Sequence, residues 1–313
     1  MLIDLLKILL GLGALYYGGE FLVTACIRIA KSLNLSPFAI GATVIGFGTS
    51  APELTVSILA SLQGAPELAM GNVIGSNVAN VGLVLGLTAI IIPLTIRPSL
   101  FKTEAPPLIA ATLLILWLAW DYQISRLEGV VMVLLLALFL WFALRKNNDD
   151  EISFEEETSL FAGRNLAWQW LLALFGLGCL LAGAQMLVDG AVNIARSLGV
   201  SEWMIGISIV AAGTSMPEIA SSIIAAKKGH GEMAIGNIFG SNIFNILMVL
   251  GLTATIHPLK ISEPIQPDLL YCAGTTFLLL ALLYRGMDLK KLDGAILLGA
   301  YTFYLGAKSG GIL

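Results

Sequence analysis

Two acidic residues of this chain, Glu53 and Glu218, lie 165 residues apart in nearly identical hexapeptides, GTSAPE and GTSMPE. Within each hexapeptide a Thr, a Ser and the Glu stand at positions i, i+1 and i+4, so a helix places their oxygens on neighbouring positions of one face. The hydroxyl residues are Thr49 and Ser50 in the first copy and Thr214 and Ser215 in the second. This spacing predicts that each hexapeptide offers oxygen ligands to a cation.

Each hexapeptide also contains a proline directly before its glutamate, Pro52 and Pro217. Proline has no N–H, so the carbonyl four residues earlier loses its helical hydrogen bond. Backbone oxygens around Thr49 and Thr214 are then free. Inside a membrane such oxygens are tolerated only where they line a cavity or bind an ion.

A second duplicated motif, G-N-x-x-G-S-N-x-x-N, follows each hexapeptide. Ser76 and Asn80 share a helical face in the first copy, as do Ser241 and Asn245 in the second. Together the residues on these helical faces supply two carboxylates, several hydroxyls and two amides, and none of these candidate ligands is a His, Cys or Met. Hard cations such as Na⁺ and Ca²⁺ prefer these donors, whereas Zn²⁺ and copper prefer nitrogen and sulfur.

Other polar residues of the duplicated motifs have a structural interpretation. Asn72 and Asn237 lie just inside their helices and suit hydrogen bonds between helices, and the same explanation is the alternative for Asn80 and Asn245. Glu67 and Glu232 stand at helix starts, where a carboxylate interacts favourably with the helix dipole. For Glu20, in the first apolar segment, a role in gating and a structural hydrogen bond both remain open.

The duplication extends well beyond the motifs. Residues 48–94 align with residues 213–259 without a gap, and 26 of the 47 positions are identical. The chain is 57% hydrophobic and 12% charged, with a mean hydropathy of +0.88. Soluble domains carry about twice that charged fraction, so the composition predicts a protein that crosses the membrane several times.

Ten apolar segments are long enough to cross the bilayer, which takes about 20 residues each. We predict spans at 3–30, 36–63, 67–92, 105–120, 126–145, 166–195, 201–226, 232–257, 267–285 and 290–308. The predicted fold class is an all-α membrane protein with two five-helix repeats. Because five is odd, the second repeat enters the membrane from the opposite side and the two repeats are inverted.

The distribution of basic residues indicates which side each loop faces. With the N-terminus outside, five of the 17 Lys and Arg residues fall on the outer side and the other twelve on the inner side. This bias fits the positive-inside rule. We therefore predict that both termini lie outside a prokaryotic plasma membrane.

The predicted organisation has three parts. Residues 1–145 form the first repeat, 146–165 a cytoplasmic acidic linker, and 166–313 the second repeat. The linker is about 20 residues long, which is too short for a folded domain. Its acidic residues are better explained by a solvated segment than by a regulatory cation site.

The paired sequences GTSAPE…GNVIGSNVANVGLVLG and GTSMPE…GNIFGSNIFNILMVLG resemble the α1 and α2 repeats of the sodium/calcium exchanger family. The resemblance covers almost the whole chain and is strongest to short prokaryotic calcium/sodium antiporters. It implies ten helices, with the α-repeat helices crossing at the centre and spans 1 and 6 sliding across them to switch access.

The resemblance also implies the ligands. The calcium site would use the carboxylates of Glu53 and Glu218 and the carbonyls of Thr49 and Thr214. The sodium sites would use Ser50, Ser76 and the Gly46 carbonyl in one repeat, Ser215, Ser241 and the Ala211 carbonyl in the other, with Asn80 and Asn245 at the centre.

One position departs from several relatives. Potassium-dependent exchangers carry Asp where this chain has Asn245, so the site has one charge fewer. This difference makes potassium co-transport less expected and leaves the ion stoichiometry open.

The function implied is Na⁺/Ca²⁺ antiport without a cofactor, by a monomer in the lipid bilayer that binds no nucleic acid. A H⁺/Ca²⁺ antiporter of the same superfamily is the main alternative, but a proton site needs no flanking serines. A cation channel is less expected, since inverted repeats around a central site favour alternating access. Serine catalysis needs a base beside the nucleophile, and the sequence offers none there, so we do not expect an enzyme.

Overall fold

The computed structural model describes residues 1–145, 165–199, 211–262 and 264–310, and these are mostly helical. The elements of the first repeat are α1 (Leu2–Ser32), α2 (Pro37–Thr49), α3 (Ala51–Leu62), α4 (Pro66–Ile91), β1 (Leu94–Thr95), α5 (Pro98–Leu118), β2 (Gln123–Ile124) and α6 (Arg126–Arg145). Those of the second are α7 (Leu166–Ser197), α8 (Ala211–Thr214), α9 (Met216–Lys227), α10 (Gly231–Ile256), β3 (Leu259–Lys260), α11 (Gln266–Gly286), β4 (Asp288–Leu289) and α12 (Lys291–Ser309).

Most helices follow the predicted spans closely, but α5 begins at Pro98, seven residues before the predicted start at residue 105, and Pro106 and Pro107 lie inside the helix instead of in its first turn. Seven described helices are long and apolar enough to cross a membrane, and the pair α2 and α3, bent by 42°, is an eighth when counted as one span. Part of the seventh predicted span, residues 201–210, and the acidic linker up to residue 164 lie outside the described residues. The count of ten crossings therefore stays a prediction that the described helices fit.

The bend between α2 and α3 occurs at Ser50, and a proline in the first turn of α3 explains it. Pro52 cannot donate a hydrogen bond into the preceding turn. In addition, α4 and α10 each contain one wider π-helical turn, Asn80–Leu85 and Asn245–Leu250. The sequence analysis did not predict these π turns, which often mark functional sites in helices.

The two repeats pair with each other through short strands at both ends of the molecule. Strand β1 pairs antiparallel with β4, with Leu94 opposite Leu289, and β2 pairs with β3, with Ile124 opposite Leu259. Leu94 corresponds to Leu259 and Ile124 to Leu289 at the offset of 165, so each pair is the counterpart of the other with the roles of the repeats exchanged. Such reciprocal pairing indicates a twofold relation between the repeats.

Carboxylates at the starts of α4 and α10 make another reciprocal contact. Glu232 accepts hydrogen bonds from the backbone N–H and Nε of Arg97, each 2.9 Å long. Glu67 accepts one from the backbone N–H of Ser262 at 3.0 Å. Both carboxylates stand in the first turn as predicted, and both also tie their helix to the other repeat.

Glycines show how α1 and α7 pack. A Cβ atom on Gly11 would lie 2.7 Å from the Gly183 carbonyl, and one on Gly18 would lie 2.8 Å from the Gly176 carbonyl. The backbones of α1 and α7 therefore touch, and they run antiparallel. Because equivalent membrane-crossing helices are antiparallel, the twofold axis lies in the membrane plane, which confirms that the repeats are inverted.

Helices α4 and α10 form the centre of the molecule. The apolar window of α10 is completely buried and that of α4 is mostly buried, whereas α1 and α6 leave most of theirs at the surface. The two hexapeptides and the second motifs therefore meet in the interior, away from the lipid-facing helices.

Candidate cation site

The two glutamates are completely buried and stand at equivalent positions, in the first turns of α3 and α9. In each repeat a short helix ends just before the glutamate and a new one begins. The N-terminal end of a helix carries partial positive charge and the C-terminal end partial negative charge. Each break thus favours a carboxylate at Glu53 or Glu218, and the preceding helix brings the negative end of its dipole to the same break.

The structure brings these carboxylates together with hydroxyl groups of both repeats. The Glu53 carboxylate lies near the Ser76 hydroxyl, and the Glu218 carboxylate lies near Thr49 of the other repeat and near Glu53. The Thr49 hydroxyl also lies 3.3 Å from the Ser241 hydroxyl. One site therefore contains groups from both halves of the chain.

Several buried oxygens of this site have no hydrogen-bond partner in the described part of the chain. They are Ser50 Oγ, Glu53 Oε2, Ser215 Oγ, both carboxylate oxygens of Glu218 and Asn245 Oδ1. Nearly all buried polar atoms in proteins are hydrogen-bonded, and an ion is one of the explanations for those that are not. A set of oxygens with lone pairs to spare suits Na⁺ or Ca²⁺.

No group of three or more His, Cys, Asp or Glu side chains capable of holding a metal ion occurs among the described residues. The negative charge of the site therefore comes from two carboxylates, and its remaining polar groups are neutral. Such a site binds a cation less tightly than a cage of four or more carboxylates, so release is easier.

Four asparagines hold α4 and α10 together beside the carboxylates. Asn80 Nδ2 donates to Asn242 Oδ1 at 3.1 Å, and Asn245 Nδ2 donates to Asn77 Oδ1 at 3.0 Å. Asn77 and Asn242 also donate to each other's backbone carbonyls. Sequence reasoning missed Asn77 and Asn242, although both stand in the duplicated motif at positions where the copies are identical.

The amides of Asn80 and Asn245 both join the repeats, and within the described ranges that of Asn245 also has a free oxygen. Their amide nitrogens form hydrogen bonds between helices of the two repeats, which is the structural alternative that the sequence left open. The Oδ1 of Asn245 has no hydrogen-bond partner among the described residues and remains available as a ligand.

The structural role predicted for Asn72 and Asn237 agrees with their contacts. Asn72 Nδ2 donates to Ser57 Oγ at 3.0 Å and to the Glu53 carbonyl at 3.2 Å. Asn237 Nδ2 donates to Ser222 Oγ at 3.0 Å. Asn72 therefore fixes the helical turn that carries Glu53.

For the backbone carbonyls of Gly46, Ala211 and Thr214, which were also predicted as ligands, the structure gives fewer contacts. The Gly46 carbonyl accepts the Ser50 N–H at 3.1 Å and also lies 3.5 Å from the Thr49 hydroxyl, so both of its contacts are within its own repeat. Ala211 begins α8, and its side chain lies outside the described residues. Thr214 is partly exposed and lines a cavity.

A cavity of about 420 Å³ reaches the site from one side. It lies between the first turns of α3, the middle of α7 and residues 213–217 of the second hexapeptide. The polar residues among its walls are Thr55, Gln185 and Thr214. Its walls include Pro52 and Pro217, each directly before a glutamate, so the cavity lies beside the two buried carboxylates without exposing them.

The equivalent place on the other side is closed by contacts between α1 and α9. A Cβ atom on Gly19 would lie 2.4 Å from Ile224 Cδ1, so the helices are tightly packed there. Next to this contact, Lys228 Nζ lies 3.0 Å from Glu20 Oε2. The repeat partner of Glu20 is Gln185, which lines the open cavity, so the two sides of the molecule differ in conformation and in charge.

The fold and the site together define the class of protein. This is an integral membrane protein of two inverted helical repeats, with an oxygen-lined site shared between them and reached from one side. Such architecture is typical of secondary transporters.

Comparison with known proteins identifies the family. The family model described as sodium/calcium exchanger protein matches residues 4–145 and 168–309, and the chain belongs to this family. It is 39% identical to the putative antiporter CaxA of Alkalimonas amylolytica, over 97% of this chain and 98% of that protein. It is 30% identical to the sodium/calcium exchanger MaX1 of Methanosarcina acetivorans, over 97% of each.

Among solved structures, the chain is similar to the sodium-calcium exchanger NCX_Mj. The TM-score is 0.85 at 32% sequence identity, and the match covers 98% of this chain and 99% of that one. That structure belongs to a series soaked with different concentrations of Na⁺, Ca²⁺ and Sr²⁺. The family and the all-helical fold of two repeats are thus confirmed.

Proposed function

We propose that this chain is a Na⁺/Ca²⁺ antiporter that works by alternating access, with Na⁺ moving inward down its gradient and Ca²⁺ expelled. The observation that carries the proposal is the cluster of unpartnered buried oxygens on Ser50, Glu53, Ser215 and Glu218, contributed by both repeats. The named activities of MaX1 and NCX_Mj support it.

In this proposal Ca²⁺ binds between Glu53 and Glu218, where two negative charges balance one divalent ion. The carbonyls of Thr49 and Thr214 complete its ligands. Sodium ions use the same carboxylates together with flanking groups, namely Ser50, Ser76 and the Gly46 carbonyl, and Ser215, Ser241 and the Ala211 carbonyl, with Asn80 and Asn245 between them. Since both ions need the same charges, they exclude each other, and this competition makes the protein an exchanger.

Alternating access is supported by the different states of the two sides. With both termini outside, the 420 Å³ cavity faces outward and the contact of Glu20 with Lys228 lies on the inner side. We assign the described conformation as outward-facing. A movement of α1 and α7 together across the central helices would close the cavity and separate Glu20 from Lys228.

The coupling ratio determines the electrical behaviour. If three Na⁺ exchange for one Ca²⁺, as in the family that the motifs resemble, each cycle moves one positive charge inward. At about 100 mV this charge contributes about 2.3 kcal/mol to Ca²⁺ extrusion. The transporter is expected to function as a monomer in a prokaryotic plasma membrane, without a cofactor and without enzymatic activity.

The decisive experiment is ⁴⁵Ca²⁺ uptake into proteoliposomes with the purified protein. A Na⁺ gradient directed out of the vesicles is expected to drive uptake, and a pH step without Na⁺ is expected to drive none. Uptake driven by the pH step alone would instead establish the H⁺/Ca²⁺ alternative. Uptake that ignores both gradients would remove the antiport proposal.

A further inference from the structure

The last two helices of each repeat are equivalent in sequence position but are packed differently. Helices α11 and α12 of the second repeat contact each other, whereas α5 and α6 of the first make almost no direct contact. In place of that contact lies a cleft of about 900 Å³ between α5, α6 and α10. Its volume is in the range of about 300–1,000 Å³ found for ligand sites in proteins.

In the second repeat, polar side chains join the pair. Tyr304 Oη donates to Asp268 Oδ1 at 2.8 Å, and Lys308 Nζ lies 2.8 Å from Asp268 Oδ2. Tyr271 Oη donates to the Ala300 carbonyl at 2.7 Å, and its ring stacks on Tyr304 with centroids 5.0 Å apart. These contacts fill the space between α11 and α12.

In the first repeat, none of these contacts can form, because the residues at the equivalent positions lack the groups that make them. Residues 268, 271, 304 and 308 correspond to Thr103, Pro106, Phe139 and Ala143. Neither the acidic side chain nor the tyrosine hydroxyls nor the lysine is present. Four residues that hold one pair together thus become wall residues of the cleft in the other pair.

The cleft walls are almost entirely apolar. Leu135, Leu138 and Phe142 of α6 face Ala110 and Leu114 of α5 across it. Apart from the indole N–H of Trp141, the polar side chains in the lining are Thr103 and Glu104, which stand near the start of α5. The cleft therefore has one polar end and a long apolar body, which matches the shape of a lipid.

The location of the cleft determines what is available to fill it. Leu138 and Phe142 are exposed to about half of their area on helices that cross the membrane, so the cleft opens toward hydrocarbon. Lys102 is exposed beside the polar end, and Arg145 is the last residue of α6. Basic residues at span ends mark the level of lipid headgroups.

We propose that the cleft between α5, α6 and α10 is a phospholipid site in which an acyl chain takes the place of the protein contacts that join α11 and α12. The headgroup lies at the Thr103 end. The lipid completes the packing of α5 and α6 against α10, which carries Asn242, Asn245 and Ser241. It is thus a structural ligand for one repeat only.

The test compares two tryptophan substitutions on α5. Ala110→Trp places a large ring in the cleft, whereas Leu113→Trp changes an exposed residue of the same helix that does not line it. Purified wild type and both variants are mixed with phosphatidylglycerol and phosphatidylcholine vesicles, and bound phospholipid is counted by native mass spectrometry. We expect the wild type and Leu113→Trp to retain one lipid, and retention to fall about tenfold in Ala110→Trp.

A spin-label measurement gives an independent result if Ala110→Trp does not fold. A nitroxide attached to Ala110→Cys in a protein without native cysteines should broaden when phospholipid with a spin-labelled acyl chain is added. Equal lipid retention in all three proteins, or no broadening, would overturn the proposal. So would dimers cross-linked through Ala110→Cys at full yield, since a second copy would then fill the cleft.

Discussion

At the scale of single residues, the main question is how two buried carboxylates coexist. A buried charge without a partner costs several kcal/mol, and two of the same sign repel each other. The helix N-termini at Glu53 and Glu218 offset part of this cost, at about 0.3–1 kcal/mol each. A bound cation removes the rest, so each carboxylate depends on the cation and on the other.

The first prediction concerns these charges. Glu53→Gln and Glu218→Gln should each abolish Ca²⁺ uptake driven by Na⁺, because the remaining carboxylate cannot balance a divalent ion. Glu128→Gln is the matched control, since Glu128 accepts an N–H from Ser125 at the start of α6, far from the site in sequence. Near-normal transport in either of the first two variants would contradict the site assignment.

The second prediction concerns the asparagines between the repeats. Asn77→Ala removes the acceptor of Asn245 Nδ2 and should lower stability by about 1–3 kcal/mol, because a buried donor loses its partner. Thermal unfolding in detergent measures the effect. Asn193→Ala, which loses a bond to Asp4 at the surface, should change the midpoint much less. Equal effects of the two substitutions would show that the asparagine cluster contributes no special stability.

At the scale of elements, α1 and α7 form one body because glycines let their backbones touch. Their contacts with the central helices are not symmetric. Gly48 and Gly213 occupy equivalent positions, yet both lie against α7, at Leu177 and Val188. The pair is therefore displaced from the symmetric position relative to the core, as a pair that slides between two positions would be.

The third prediction tests the close packing of this pair. Gly11→Ala adds a methyl group that meets backbone atoms of α7 and should destabilise the protein by about 1–3 kcal/mol through overpacking. Gly13→Ala, two residues away, meets nothing within 4 Å and should be neutral or slightly stabilising. The measurement is the unfolding midpoint of each variant, and a reversed order would refute the described packing.

The fourth prediction concerns Glu20, for which the sequence left two roles open. Its contact with Lys228 holds α1 against α9 on the closed side, and a partly exposed ion pair is worth at most about 1 kcal/mol. Glu20→Gln should therefore shift the conformational balance by up to about fivefold toward the opposite state.

The shift in conformational balance can be measured by the accessibility of a residue that lines the open cavity. A cysteine at Thr55, in a protein without native cysteines, should react more slowly with a membrane-impermeant thiol reagent when Glu20→Gln is added. The same substitution at Glu128 should leave the labelling rate unchanged. An unchanged rate with Glu20→Gln would leave Glu20 as a purely structural residue.

At the scale of the whole molecule, the antiparallel contact of α1 with α7 gives the repeats opposite orientations. This arrangement and the basic residues of the loops lead to the fifth prediction, that both ends of the chain lie outside. A fluorescent reporter fused after Leu313 that folds only in the cytoplasm should stay dark, and one fused within the linker at residue 150 should be bright. The reverse pattern would invert the assignment of the cavity to the outer side.

The sequence was sufficient to predict the repeats, most span boundaries and the glutamates, because duplication at a fixed offset made each motif visible twice. The sequence could not predict the ion pair between Glu20 and Lys228. These residues are 208 positions apart, and the ion pair has no copy in the other repeat. The roles of Asn77 and Asn242 were also hidden. Their position in the motif was evident, but which asparagine faces the ion and which faces the other repeat depends on how α4 and α10 cross.

The exchanged strands have a consequence for how this chain can be divided. Each ribbon takes one strand from either side of the linker, so cutting between residues 146 and 165 would leave every strand of both fragments without its neighbour. The fragments would nevertheless carry complementary edges and half of a hydrogen-bonded asparagine cluster each. We therefore expect the complete pair of repeats, and not either repeat alone, to be the unit that folds.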